Sequence, residues 1–411
     1  MYPLKQLKYY NLFWVGFIVY SLGNALTYTS VANIKIYQTV QIPGLLLMIV
    51  GAVHLIKSKI GNSYLQLFYI LYCGWFIYLI ISGFNLLTDY AYLKTFLFNP
   101  AIGLVYFAPL LLLFPKDQYS LNRLFDFILI CGVIYLLLDL VFIKQLLTSD
   151  RSSTESQDVV EAFSSLSLPS SFVLLTFNYH HTKRRLLALL IVLVALTMAV
   201  IRARRGLIFM YSNILILSAI LFTAYSRLKL MIFYIALFLG CVVALYINNS
   251  YKINQSRVFG YLLERADEDT RSGVEYYFYN DMKFSDWIVG RGIDGKYFCP
   301  DVEEYQPTNY RSFIETGYLQ TILKGGIISL ALFLLIAIPA AIKGIFYSKN
   351  AFSKAAGLWI VTSIVDLYPA IVNSFTLQYL LVWICIGICY SKEFRYQTND
   401  EEILNTKHLE Q

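Results

Sequence analysis

Long apolar runs alternate with short polar segments along most of the chain. An α-helix rises 1.5 Å per residue, so about 20 mainly apolar residues are needed to cross the hydrocarbon core of a bilayer. By this criterion the pattern predicts about twelve transmembrane helices. They are expected near residues 11–29, 37–56, 64–87, 97–114, 123–146, 162–180, 186–202, 206–224, 228–247, 316–342, 355–373 and 375–391.

This alternation predicts an all-α polytopic membrane protein with one large hydrophilic loop late in the chain. Residues 1–247 would form an N-terminal bundle of about nine helices, and residues 316–391 a C-terminal group of about three. Residues 248–315 would form the large loop between these bundles, and residues 392–411 a polar tail.

Composition supports a membrane protein and argues against a soluble one. Hydrophobic residues make up 58% of the 411 residues and charged residues only 14%, whereas soluble domains carry about 25% charged residues. The net charge of +7 is accounted for by basic loops on one side of a membrane, and no nucleic-acid-binding motif accompanies it. The six cysteines have no zinc-site or disulfide spacing, so neither a metal nor a cofactor is expected.

The distribution of Lys and Arg predicts the orientation of the helices. Basic residues concentrate in cytoplasmic loops, and the predicted spans satisfy this rule when both termini are cytoplasmic. The exception is the stretch AVIRARRGLIF (199–209), which places Arg202, Arg204 and Arg205 at the outer end of two adjacent helices. Charges at this position are costly unless they are paired, hydrated or functional.

An anionic ligand would explain the three arginines. Guanidinium groups bind phosphate oxygens in pairs and stay charged at every relevant pH. Arg202 and Arg205 would share a helix face if the helix continued through them, and Gly206 would allow a close approach. A lipid-linked pyrophosphate fits this arrangement. A structurally bound anionic lipid headgroup, or arginines that extend to the membrane surface, would fit the spacing as well.

The polar segment 248–324 contains more acidic than basic residues and many aromatic residues. Disordered linkers have few aromatic residues, so the segment is expected to fold against the helices. Aromatic rings interleaved with acids suit sugars, although a cap that packs on the membrane interface would have similar rings. The candidate glycan-binding residues are Arg291, Arg311, Tyr318 and Trp287.

Three features together resemble a known family: Arg271, SDWIVGRGIDGKYF (285–298) and IETGYLQTILKGGIISL (314–330). The chain resembles the bacterial O-antigen polymerase and ligase superfamily, which includes Wzy-type polysaccharide polymerases. The resemblance implies a GT-C-like glycosyltransferase architecture in the bacterial inner membrane, with the large loop in the periplasm. It also implies an undecaprenyl-pyrophosphate-linked oligosaccharide as substrate, metal-independent transfer and a chain-length regulator as a partner. Arginines at a helix end (one of 202, 204 and 205) and in the loop (Arg271) would act on the substrate.

Glu315 bears on the choice between the two activities of that superfamily. The ligase signature is a histidine, then Asn, Ser or Gln, nine residues, a glycine, two residues, and finally Gly, Thr or Tyr. The matching positions here are Glu315, Thr316, Gly326 and Ser329, so only the glycine agrees. The glutamate favours a polymerase, in which Glu315 is the candidate base; an ordinary carboxylate at a helix start is the competing interpretation. An O-antigen ligase and a lipid-linked oligosaccharide flippase or transporter stay open as alternatives. A transporter would be expected to show internal repeats, and none is evident.

Overall fold

The structure is a computed structural model that describes residues 4–29, 33–56, 60–82, 90–147, 154–225, 271–300, 309–369 and 372–397. The predicted span 228–247, the first part of the large polar segment and the end of the tail lie outside the described residues.

The described residues are almost entirely helical. The α-helices are α1 (Leu4–Leu26), α2 (Ile34–Leu55), α3 (Ser63–Ser82), α4 (Tyr90–Phe98), α5 (Gln118–Val141), α6 (Ile143–Leu146), α7 (Thr154–Ser167), α8 (Ser170–Leu175), α9 (Thr182–Ile201), α10 (Arg205–Tyr225), α11 (Ser272–Asp281), α12 (Phe284–Val289), α13 (Gly317–Phe346), α14 (Ala351–Asp366), α15 (Leu377–Tyr390) and α16 (Lys392–Tyr396). Two 3₁₀-helices cover Leu104–Leu113 and Phe177–Tyr179, and the strands Tyr297–Phe298 (β1) and Tyr310–Arg311 (β2) pair antiparallel.

Six described helices are long and apolar enough to cross a membrane, namely α2, α3, α5, α9, α10 and α13. The chain is therefore an all-α, multi-pass membrane protein. Large apolar side chains point outward from these helices; Val53 on α2, for example, is 66% exposed. Such a surface is stable only against lipid.

Two predicted spans are not single α-helices. The region 97–114 contains the 3₁₀-helix Leu104–Leu113, which includes Pro109, and the region 162–180 is divided among α7, α8 and a second 3₁₀-helix. Proline lacks the N–H that an α-helix needs in its interior, and Pro169 stands at the start of α8. A 3₁₀-helix rises about 2.0 Å per residue, so ten residues extend about 20 Å.

Glycines allow α1 and α2 to pack closely. A methyl group on Gly16 would lie 2.6 Å from the carbonyl oxygen of Gly44, and one on Gly51 would lie 2.8 Å from the backbone nitrogen of Phe13. Small residues at such contacts let helix backbones approach, which stabilises helix pairs within a bilayer.

Helix α13 is broken at Gly325 and Gly326, and the loop after α12 fills the break. Gly326 has φ 67° and ψ −178°, and the backbone N–H of Arg291 donates to the carbonyl of Leu323 at 2.8 Å. From α3, the indole N–H of Trp75 reaches the carbonyl of Gly325 at 3.1 Å. Neighbouring groups therefore form hydrogen bonds with backbone carbonyls at the break, which stabilises it.

The polar segment that follows residue 270 folds on the first turns of α13. Phe278 and Tyr297 form a small apolar core with Ile314 and Leu323, separate from the main core of the bundle. The described part of this segment therefore packs against the helices, as its aromatic composition predicts. Packing at this position holds residues 271 and 315 at one end of the bundle.

Candidate functional site

A cavity of about 430 Å³ opens at the end of the bundle where α9 ends and α10 begins. Charged side chains from four separate parts of the chain line it: Asp158, Glu161, Arg204, Arg205, Arg271 and Glu315. We call it the arginine cavity. Four of the predicted site residues, namely Arg204, Arg205, Arg271 and Glu315, thus meet in one place.

A tight turn between α9 and α10 separates the three neighbouring arginines. Ala203 adopts φ 49°, a left-handed conformation that few non-glycine residues take. The backbone N–H of Arg204 returns to the carbonyl of Ala199 at 2.9 Å, which ends α9. Arg202 and Arg205 are expected to share a helix face only if the helix continues through them, and it does not, because α9 ends at Ile201 and α10 starts at Arg205.

Arg202 does not line the arginine cavity. Its side chain is 0% exposed, and its guanidinium donates to backbone carbonyls at the end of α6: Nε to Leu146 at 2.5 Å and Nη2 to Gln145 at 3.3 Å. Those carbonyls have no partner within their own helix, so a cation there caps them and offsets the negative end of the helix. The predicted pyrophosphate contact of Arg202 is therefore replaced by a contact that joins α6 to α9.

Arg204 is held by the polar face of α7. Its Nη2 lies 2.5 Å from the carboxylate of Glu161 and 3.5 Å from that of Asp158. Within the described part of the chain, Nε of Arg204 is buried and has no hydrogen-bond partner. A buried donor without a partner costs about 1–3 kcal/mol, so an oxygen-rich ligand at this guanidinium would remove a penalty.

Two carboxyl groups of α7, those of Asp158 and Glu161, have raised pKa values. Desolvation within the recess raises the pKa of Glu161, Arg204 opposes this shift, and the charges of Glu315 and Asp158 add to it. Desolvation likewise raises the pKa of Asp158 against the opposing effect of Arg204. The side chain of Glu161 lines the cavity and is 60% exposed, so its carboxylate is both perturbed and accessible.

Arg271 and Glu315 form the opposite wall of the arginine cavity. Arg271, the residue before α11, donates to the carbonyls of Tyr368 (3.1 Å) and Pro369 (2.6 Å) beyond the end of α14. Its Nε is 4.0 Å from the carboxylate of Glu315. Next to Glu315, the Thr316 hydroxyl donates to Glu275 on α11, which fixes the chain at this point.

A second cavity of about 480 Å³ adjoins the first, and both share Asp158, Glu161, Leu207, Phe313 and Val372 in their walls. Amides and hydroxyls dominate its remaining polar lining, contributed by residues such as Asn24, Asn99, Ser164, Ser165, Thr376 and Gln378. Among its described lining residues none is Lys or Arg. We call it the amide cavity.

The four candidate glycan-binding residues lie outside both cavities. Arg291 binds Asp281 and Asp286, and Trp287 stacks on Tyr279 with ring centres 5.8 Å apart. Tyr318 stacks on Tyr368 at 6.1 Å. Arg311 pairs with Tyr297 in the strand pair β1–β2. These contacts hold the folded segment together, and a role in glycan binding stays a prediction.

Asp158 and Glu161 are the cavity residues that sequence reasoning missed. The stretch TESQDVVEAF (154–163) places the two carboxylates three residues apart, on one face of α7. Two carboxylates on one helix face, directly before a predicted transmembrane span, are the feature of the sequence that could have indicated them.

No group of three or more His, Cys, Asp or Glu residues in the described ranges is arranged to hold a metal ion. Comparison with protein-family models, with curated proteins and with solved structures finds no match for this chain.

Proposed function

We propose that this protein is a polysaccharide polymerase that joins polyprenyl-pyrophosphate-linked repeat units at the periplasmic face of the bacterial inner membrane. The observation that carries the proposal is the arginine cavity, in which Arg204, Arg205 and Arg271 from distant parts of the chain line one recess with Glu315. The cavity lies at one end of a bundle that contains six helices long enough to cross a bilayer, so a lipid-anchored substrate can reach it from the membrane.

The proposed reaction makes use of the charges in this cavity. A hydroxyl of the acceptor glycan attacks the anomeric carbon of the donor, and the polyprenyl pyrophosphate leaves with the electron pair of the broken C–O bond. Negative charge grows on the leaving group as this bond breaks. Fixed guanidinium groups therefore stabilise the transition state more than the bound substrate.

The proposed topology is the one that the basic residues predict. The chain would cross the membrane about twelve times with both termini in the cytoplasm, so that the ends of α9 and α13 at the arginine cavity face the periplasm. Labelling of single cysteines introduced at Gly206 and at Gly61 with a membrane-impermeant reagent would test this. Labelling of position 61 from the periplasm, with position 206 protected, would overturn the orientation.

The polysaccharide of a strain that lacks the gene tests the activity. A polymerase defect leaves single repeat units attached to the carrier or to the lipid core. Long polymer that accumulates on the carrier would instead identify a ligase, and carrier-linked units that stay on the cytoplasmic face would identify a flippase. Either of these two results would overturn the proposal.

Complementation with single variants tests the cavity. Arg205→Gln and Arg271→Gln should each slow elongation about 10²-fold, because each removes a charged donor that acts on the leaving group. The matched control is Arg123→Gln, an exposed arginine that pairs with Asp126 near the start of α5, outside the cavity. Equal chain lengths in all three strains, at equal protein levels, would remove the arginines from the site.

A further inference from the structure

Glu161 lines both the arginine cavity and the amide cavity. Among the described residues, Asp158 is the other ionisable side chain that lines both. Glu315 lines only the first of these. One of these recesses is lined by three guanidinium groups and the other mainly by amides and hydroxyls. A group at their boundary can act on an anionic reactant in the first and a neutral reactant in the second.

The two recesses differ in the chemistry of the ligand that each would accept. The arginine cavity has three guanidinium groups, which suit phosphate oxygens. The amide cavity has amides and hydroxyls, together with the exposed rings of Tyr28 and Phe313. Amides and hydroxyls match the donors and acceptors of sugar hydroxyls, and aromatic rings cover apolar C–H surface. A neutral polyol therefore suits the amide cavity better than an anion does.

The serines of this wall are oriented by the same helix that carries Glu161. The hydroxyl of Ser164 donates to the backbone carbonyl of Glu161 at 2.6 Å, and that of Ser165 donates to Ala162 at 2.7 Å. Each hydroxyl then presents its lone pairs as acceptors. The carboxylate and these acceptors belong to one rigid element, which suits the positioning of a hydroxyl group for attack.

On the basis of the proposed polymerase activity, we propose that the amide cavity binds the acceptor glycan and that the Glu161 carboxylate takes the proton from its attacking hydroxyl. The hydroxyl oxygen forms a bond to the anomeric carbon, the bond from that carbon to the pyrophosphate oxygen breaks, and the pyrophosphate departs with the electron pair. The proton passes to Glu161 and then to water. This assigns to Glu161 the role that sequence reasoning gave to Glu315.

The ion pair between Glu161 and Arg204 couples donor binding to this step. A pyrophosphate that binds Arg204 competes with the carboxylate of Glu161 for the same guanidinium, which now contacts it at 2.5 Å. A carboxylate that loses a cationic partner becomes a stronger base, because the charged form is no longer stabilised. Glu161 would thus reach full basicity only when the donor is in place.

The test uses full-length protein in lipid vesicles, with the carrier-linked glycans extracted from the deletion strain as substrate. Glu161→Gln should lower the maximal rate of elongation about 10²–10⁴-fold, with only a small change in the substrate concentration for half-maximal rate. The elongation rate of wild-type protein should fall at low pH, and Glu161→Gln, which lacks the carboxyl group, should not show this fall. Glu161→Asp, which keeps a carboxylate, should keep the fall and part of the rate.

Glu315→Gln is the matched comparison, because Glu315 also lines the arginine cavity and is 58% exposed. It should keep the low-pH fall of the wild-type protein. If Glu161→Gln retains both the wild-type rate and the fall, the inference is wrong while the polymerase activity stands. If wild-type protein does not elongate these glycans at all, the proposed function itself fails. Unchanged melting temperatures of the variants separate both results from misfolding.

Discussion

A methyl group on Gly326 should disrupt the break in α13 more than any other single methyl group in that region. The residue has φ 67° and ψ −178°, a region that is essentially restricted to glycine and costs other residues about 1–3 kcal/mol. The added carbon would also lie 1.9 Å from the carbonyl oxygen of Ile288. The end of α12 and the loop after it would have to move, and the bond from Arg291 to Leu323 would be lost, at a further cost of about 1 kcal/mol. We expect Gly326→Ala to lower the free energy of unfolding by about 2–4 kcal/mol in total.

Two other glycines separate the contributions to this cost. Gly292 also has a positive φ, 79°, but a methyl group there meets nothing within 4 Å, so Gly292→Ala should show only the backbone cost of about 1–2 kcal/mol. Gly74 lies within α3 and has open space around it. Alanine favours a helix over glycine by about 0.5–1 kcal/mol, so Gly74→Ala should leave the stability equal or raised.

The assay is thermal unfolding of the full-length protein in detergent, followed by tryptophan fluorescence at one fixed scan rate, since such transitions depend on rate when they are irreversible. The expected order of melting temperatures is Gly74→Ala at or above wild type, then Gly292→Ala, then Gly326→Ala. Equal melting temperatures for Gly326→Ala and Gly292→Ala would refute the close contact between Ile288 and the break.

Three further predictions concern charged residues. Arg202→Gln should lower the melting temperature, because a buried guanidinium gives about 1.5–3 kcal/mol through its bonds to carbonyls. A melting temperature equal to that of the wild type would contradict the buried position of Arg202. Elongation by wild-type protein should fall as the pH is lowered, with a midpoint above the pKa of an ordinary glutamate. Desolvation raises the pKa of Glu161, and only its ionised form accepts a proton. A flat pH–rate profile would contradict this. Arg291→Lys should speed cleavage of the 284–298 segment by chymotrypsin, because a lysine cannot bridge two carboxylates as a guanidinium does. An unchanged rate of cleavage would refute this prediction.

Charge placement explains why part of the candidate site could be predicted from the sequence. Three arginines at the end of an apolar run contradict the expected distribution of basic residues, and that contradiction is visible without a structure. Two of them, Arg204 and Arg205, lie in one cavity with Arg271 and Glu315. The transmembrane class is predictable for a similar reason, because a bilayer imposes a fixed length on apolar helices.

The remainder depends on geometry that the sequence does not display. The direction of Arg202 follows from the left-handed turn at Ala203, which reverses the chain within four residues. The role of α7 follows from contacts between residues more than forty positions apart, such as Arg204 with Glu161. A local hydrophobic pattern carries no information about such pairs.

The balance of charge in the arginine cavity bears on how it could act. When ionised, Asp158, Glu161 and Glu315 cancel the formal charges of Arg204, Arg205 and Arg271, so the empty recess avoids the repulsion of three close cations. This pairing weakens the binding of a ground-state pyrophosphate, because each bound phosphate oxygen competes with a carboxylate. As the bond breaks, negative charge grows on the pyrophosphate, and it then competes better with the carboxylates for the guanidinium groups. Pairing therefore shifts the benefit of the guanidinium groups from substrate binding towards the transition state, where it raises the rate.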